Sequence, residues 1–172
     1  IILYIFKKKN VLRKNYQKVL YVILCGLVIA AIAYFIDSKV FGSGKEIMVT
    51  TLFTNEKHLE WYIPFVRIFG SIVSFSTGAA GGIFAPSLSA GASIGAVFAG
   101  WMNLSNPETN LIILCCMTGF LTSITRSPFT ASILVLEMTD SHNVIFYILL
   151  AALISNLFAT FVSKHSFYDH LK

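Results

Sequence analysis

The chain has 172 residues, 56% of them hydrophobic and only 12% charged, with a formal net charge of +5. A soluble domain carries about a quarter charged residues, so this composition excludes an ordinary soluble fold and points to several membrane helices. Six of the thirteen Lys and Arg residues fall between Lys7 and Lys18 with no base-reading pattern beside them, which sets nucleic acid aside and marks a cytoplasmic surface near anionic lipid headgroups.

In chain order, Ile1–Phe6 reads as the tail of a preceding helix. With no Met and no signal-peptide pattern at its start, the chain reads as a fragment of a longer protein. Lys7–Lys18 is a cytoplasmic loop, and Val19–Ile36 is an uncharged run near the length of a span. Gly26 inside that run predicts a close helix contact. Gly42-Ser43-Gly44 is a turn and Lys45–Thr54 a short helix. Asn55–Glu60 is polar and is expected to face water on the other side of the membrane, with Trp61 and Tyr62 at the interface. Pro64 fits a first helical turn, and Phe65–Ser76 enters the membrane. Arg67, six residues after Trp61, reads as snorkelling to the interface; the alternative is a buried Arg lining an anion path.

From Ile68 to Pro107 there is no charged residue. Within this stretch Gly78, Gly81 and Gly82 break the helical pattern, and Pro86 follows. Proline tolerates the first turn of a helix, so a helix N-terminus is expected at Ile83–Ala85. The first N–H groups of a helix lack intrahelical acceptors and carry about half a positive charge, which makes an anion site without a buried cationic side chain. Irregular backbone at membrane depth lines a cavity or is buried in protein, and broken helices facing an anion recur in transporters. The plainer alternative is a Gly-Pro loop between two ordinary spans. Ala85–Met102 is the next span, and its stripe of Ser87, Gly91, Gly95 and Ala99 predicts close helix packing.

Asn103–Thr109 is a loop and a fresh helix start. Leu111–Ile124 is apolar but about two-thirds of a span; Arg126-Ser127-Pro128 breaks it, and Phe129–Met138 is shorter still, so neither crosses a bilayer alone. Glu137 reads as a structural acid near a helix end. Val144–Val162 is a full span in which Ser155 and Asn156 can hydrogen-bond another helix. Cys25, Cys115 and Cys116 lie in apolar runs without metal-ligand spacing and read as small apolar residues, and His165 and His170 as part of a solvated basic end, so no metal site is expected. No Ser/His, paired-Asp or His-cluster arrangement lies inside the spans, which argues against an enzyme.

Gly81-Gly82-Ile83-Phe84-Ala85-Pro86 resembles the GxFxP signature of the CLC family of chloride channels and chloride/proton antiporters. Ser123–Asp140, SITRSPFTASILVLEMTD, resembles the family's later segment of the type S-I-R-A-P-L-T…L-V-L-E-M-T. Gly42-Ser43-Gly44 resembles a Gly-rich turn ahead of a membrane helix in the same half. His165–Leu171 resembles the start of the final helix, where a tyrosine points at the central anion.

The resemblance implies an all-α, polytopic fold, a bundle of tilted, broken and partial-span helices, with residues 1–172 forming one incomplete domain from the C-terminal part of the membrane region. It implies chloride transport as a chloride/proton antiporter, with a passive chloride channel as the alternative within the family and a non-transporting helical scaffold outside it. Chloride would be held by the backbone amides of Ile83 and Phe84 and by the Tyr168 hydroxyl, with Gly81, Gly82, Ala85 and Pro86 shaping the loop. No cofactor is implied beyond chloride as the transported ligand. The implied partners are chloride, protons in an antiporter, the lipid bilayer and a second copy in a homodimer. The implied location is a bacterial inner or plasma membrane with the C-terminus in the cytoplasm. Helices Phe129–Met138 and Val144–Val162 would contribute to the dimer interface. The family's GSGIP-type and GREGP-type turns do not occur in these residues, so the chain is not expected to transport alone. Ala80 stands where many relatives carry proline, which loosens the turn before the site.

Overall fold

The computed structural model describes residues 15–35, 42–54, 57, 59–77 and 82–162. These form seven α-helices: α1 (Asn15–Phe35), α2 (Lys45–Phe53), α3 (Ile63–Ser76), α4 (Phe84–Trp101), α5 (Asn106–Thr125), α6 (Pro128–Thr139) and α7 (Ile145–Val162), with a 3-10 turn at His142–Val144. No strand is present among the described residues.

Local chemistry sets the boundaries. Pro64 and Pro128 sit in the first turns of α3 and α6, where a missing N–H is harmless. At the start of α5 the Glu108 carboxylate accepts hydrogen bonds from the Ser105 N–H at 3.0 Å and hydroxyl at 2.7 Å, the reciprocal half of a capping box. Arg126 and Asp140 end α5 and α6 in the left-handed region, at φ 61 and φ 49, a conformation common just past a helix C-terminus.

α4 is the centre of the bundle and packs most extensively on α5. The stripe of small residues makes this contact. A Cβ on Gly91 would lie 2.6 Å from the Cys116 carbonyl oxygen and from Met117 Cα, and one on Gly95 would lie 2.7 Å from Ile113 Cα. Ala92, Ala96 and Ala99 are fully buried. Without a hydrophobic drive between helices in lipid, backbone approach and van der Waals packing hold such a pair together. α2 and α3 flank α4, while α6 and α7 pack on the other side of α5. The apolar core runs through all of these from Met48 on α2 to Ile148 on α7.

Among the described residues, three helical stretches are long and apolar enough to cross a membrane: Tyr16–Tyr34, Asn106–Thr125 and His142–Val162. α3 and α6 are shorter apolar helices. This corrects the expectation for α5. Its polar first turn continues the helix beyond the apolar run, giving 20 residues, or about 30 Å at 1.5 Å per residue. α4, expected as a span, forms an 18-residue helix whose buried face is rich in Ser, Gly and Ala.

Three smaller expectations are also revised. Among the described residues, nothing lies within 4 Å of a Cβ position on Gly26. The face of α1 that meets α3 carries Tyr21 and Cys25 instead, beside Ser76. Arg67 is 5% exposed and does not snorkel: it shares the inward face of α3 with Pro64 and Gly70, three residues apart in each direction. Lys57, within the stretch read as facing water, is also buried; its ammonium donates to Leu52 O at 3.2 Å and Asn110 Oδ1 at 2.6 Å. Lys57 thereby ties the end of α2 to the start of α5. Ser155 does bond across helices as its position suggested, donating to Gly119 O at 2.6 Å.

Candidate anion-binding site

α4 begins at Phe84 with Ile83 as its N-cap residue, within the expected range. The Ser87 N–H is the first to close a helical turn, on Ile83 O at 3.1 Å. Pro86 has no N–H, so the amides of Ile83, Phe84 and Ala85 precede the hydrogen-bonded ladder. Among the described residues no side chain caps this turn, and no acidic residue occupies it. The Ser87 hydroxyl turns inward to Ile83 O at 2.5 Å and leaves the amide end open. Gly82 is exposed, its φ is outside the left-handed region, and among the described residues a Cβ there would meet nothing within 4 Å. Glycine at 82 thus adds no side chain to the space that these residues leave in front of α4. Phe84 is 40% exposed, so its side chain contributes little packing.

Behind this open end lies a buried cation that the sequence reading placed at the interface. The Arg67 guanidinium donates to Ser89 Oγ and to Gly42 O at 3.3 Å. The Ser89 hydroxyl in turn donates to Pro86 O at 3.0 Å. Arg67 is thus connected through one side chain to the first turn of α4. Gly44 is shaped by the same cluster: its φ is 77, and a Cβ there would collide with the Arg67 guanidinium and the Ser89 side chain. The Gly42-Ser43-Gly44 turn, α3 and α4 meet at this point. The signal that could have revealed it is the inward phase of Arg67 with Pro64 and Gly70; nothing in the sequence singled out Ser89.

Chemically, three free amides at the positive end of an 18-residue helix, with a guanidinium near its second turn, favour an anion over a cation. A halide needs only N–H donors of this kind. Of the expected site residues, the structure brings together Gly82, Ile83, Phe84, Ala85 and Pro86; Gly81 and Tyr168 lie outside the described residues. Among the described residues no group of His, Cys, Asp and Glu could hold a metal ion.

Residues 2–160 match the family of voltage gated chloride channels. The chain belongs to the CLC family. CLC membership places it among channels and transporters rather than enzymes, and together with the apolar helices makes it a multi-pass membrane protein. It is 32% identical over 112 residues to the H(+)/Cl(-) exchange transporter ClcA of Cronobacter sakazakii, covering 63% of this chain and 24% of the relative. ClcA of Vibrio cholerae serotype O1 is 31% identical over 109 residues, covering 61% of this chain and 23% of the relative. The matched region thus spans about a quarter of the length of these curated relatives.

Proposed function

We propose that this chain supplies the second-half anion site of a chloride transporter, and that the complete protein exchanges chloride for protons. The observation that carries the reading is the open, uncapped start of α4 at Gly82-Ile83-Phe84, backed by Arg67. Chloride accepts hydrogen bonds from the amides of Ile83 and Phe84, and the Tyr168 hydroxyl donates another. Gly81, Gly82, Ala85 and Pro86 keep the approach clear of bulky side chains. Dipole ends and backbone donors hold the ion without the slow release a direct charge contact would impose, and transport needs both entry and exit. Proton exchange is supported by the similarity to H(+)/Cl(-) exchange transporters.

Residues 1–172 belong to one domain, for which the continuous core from α2 to α7 is the support. The chain pairs with a second copy through α6 and α7, whose outer faces expose Phe129, Ile133, Ile145 and Phe146. Its C-terminus and the Lys7–Lys18 run lie in the cytoplasm, the latter by its positive charge.

The test is ion flux by the complete protein in liposomes under a chloride gradient. Chloride movement with uphill proton movement supports the exchanger. Chloride movement without protons favours a passive channel, the activity named in the family's description. Fluoride movement without chloride overturns the role given to Tyr168.

A further inference from the structure

The three buried serines of α4 each donate their hydroxyl proton to a carbonyl of the same helix: Ser87 to Ile83 O at 2.5 Å, Ser89 to Pro86 O at 3.0 Å and Ser93 to Ala90 O at 2.8 Å. Ser89 has a further bond. It is fully buried, and its oxygen also accepts from the Arg67 guanidinium, 22 positions away on α3. A hydroxyl has one proton and two lone pairs. With the proton committed to Pro86 O, the lone pairs are left to Arg67, and each bond polarises the other.

Arg67 is held on two sides. One arm of its fork reaches Ser89 and the other reaches Gly42 O at 3.3 Å. Both acceptors are neutral, so these two bonds fix the guanidinium without cancelling its charge. The Gly42-Ser43-Gly44 turn closes over them: Gly44 stands at φ 77, and a Cβ there would collide with the guanidinium and with the Ser89 side chain. A lysine would carry the same charge on a flexible stem, without a rigid fork to span the two acceptors.

We propose that Ser89 is a positioning residue for the anion site: its hydroxyl ties the Arg67 guanidinium to the first turn of α4, and so sets the distance between that charge and the open amides of Ile83 and Phe84. This rests on the reading of the start of α4 as the anion site. The attraction between a cation and an anion falls with their separation, so a guanidinium that drifts from α4 holds the anion less well although its charge is unchanged.

The experiment is chloride titration calorimetry, with thermal unfolding alongside, on the complete protein in detergent, comparing wild type, S89A, R67Q, S89A/R67Q, R67K and G82L. S89A is expected to raise the chloride Kd about two- to fivefold. In the R67Q background S89A is expected to add nothing, the non-additivity of residues acting through one another. R67K, which keeps the charge and loses the fork, is expected to raise the Kd as S89A does. Equal losses from S89A in both backgrounds, or a wild-type Kd in S89A even with lowered thermal stability, would overturn the proposal and leave Ser89 a packing residue. A wild-type Kd in G82L, whose side chain enters the space before α4, would overturn the reading of α4 as the site, and this inference with it. Should S89A not fold, R67K decides: a wild-type Kd there shows that the charge need not be fixed in place and overturns the proposal.

Discussion

Replacing Gly91 by alanine tests whether backbone approach between α4 and α5 holds the bundle together. The added Cβ would lie 2.6 Å from the Cys116 carbonyl oxygen and from Met117 Cα, and 2.9 Å from Met117 N. All three are backbone atoms inside a helix and cannot rotate away. Restoring an optimal carbon separation of about 3.5 Å requires the helices to part by about 0.9 Å locally. A gap of that size forfeits a quarter to a half of each contact along the seam. Overpacking of this kind costs about 1–3 kcal/mol, and the better helix propensity of alanine offsets about 0.5–1 kcal/mol. The net expectation is a loss of about 0.5–2 kcal/mol, roughly 2- to 30-fold in the folded-to-unfolded ratio. Denaturant unfolding in detergent, followed by tryptophan fluorescence, measures it. Gly82→Ala is the matched control, since its Cβ meets nothing among the described residues. If Gly91→Ala proves as stable as wild type, or if both variants lose equally, the close approach does not carry the packing.

Arg67→Gln removes a charge about 7.5 Å along α4 from Phe84, measured from its Ser89 partner, and about 10 Å away in all. With an effective dielectric of about 20 this is worth roughly 1.7 kcal/mol, so chloride Kd should rise at least about tenfold by calorimetry; an unchanged Kd would remove Arg67 from the site's electrostatics. Phe84→Ala should reduce chloride flux less than Gly82→Leu, because the half-exposed ring packs little while leucine fills the clear space before α4; equal loss would refute a backbone-based site. Ile145→Trp, on an exposed position of α7, should shift the protein toward monomers on size analysis, and an unchanged dimer would count against the α6–α7 interface. Burial holds the Lys57 ammonium below its ordinary value of 10.5. The unfolded chain therefore keeps that proton to higher pH, so stability should rise as pH climbs through the folded value and level off near 10.5. Lys57→Met should flatten that limb in pH-dependent unfolding, and a persistent limb would assign it to another group.

What the sequence revealed followed periodicity and punctuation. Gly82 and Pro86 marked the start of α4 to within a residue, and the four-residue spacing of Ser87, Gly91, Gly95 and Ala99 foretold its seam with α5. Both signals are local, because glycine and proline act on the backbone at their own position. The misses concern what a side chain meets across the fold. Arg67 and Lys57 looked solvent-facing because their nearest neighbours in sequence are interfacial or polar, yet their partners Ser89 and Asn110 lie 22 and 53 positions away. Gly26 looked like a packing residue because small residues often are, but α1 rests on its Tyr21 face. The length of α5 was underestimated because hydropathy ends where the apolar run ends, whereas Ser105 and Glu108 let the helix begin a turn earlier. Tyr168 owed its role to resemblance alone.

The small-residue composition of α4 also bears on how the protein is made. Side chains that let α4 sit inside the bundle leave Ser, Gly and Ala along its buried face. Such a face gains from close backbone packing on α5 what it lacks in large apolar groups. α5 follows after the short Met102–Ser105 connection and is apolar enough to enter. α4 therefore depends on α5 for its place, and lesions larger than alanine at Gly91 or Gly95 are expected to lower the yield of folded protein in the membrane as well as its stability.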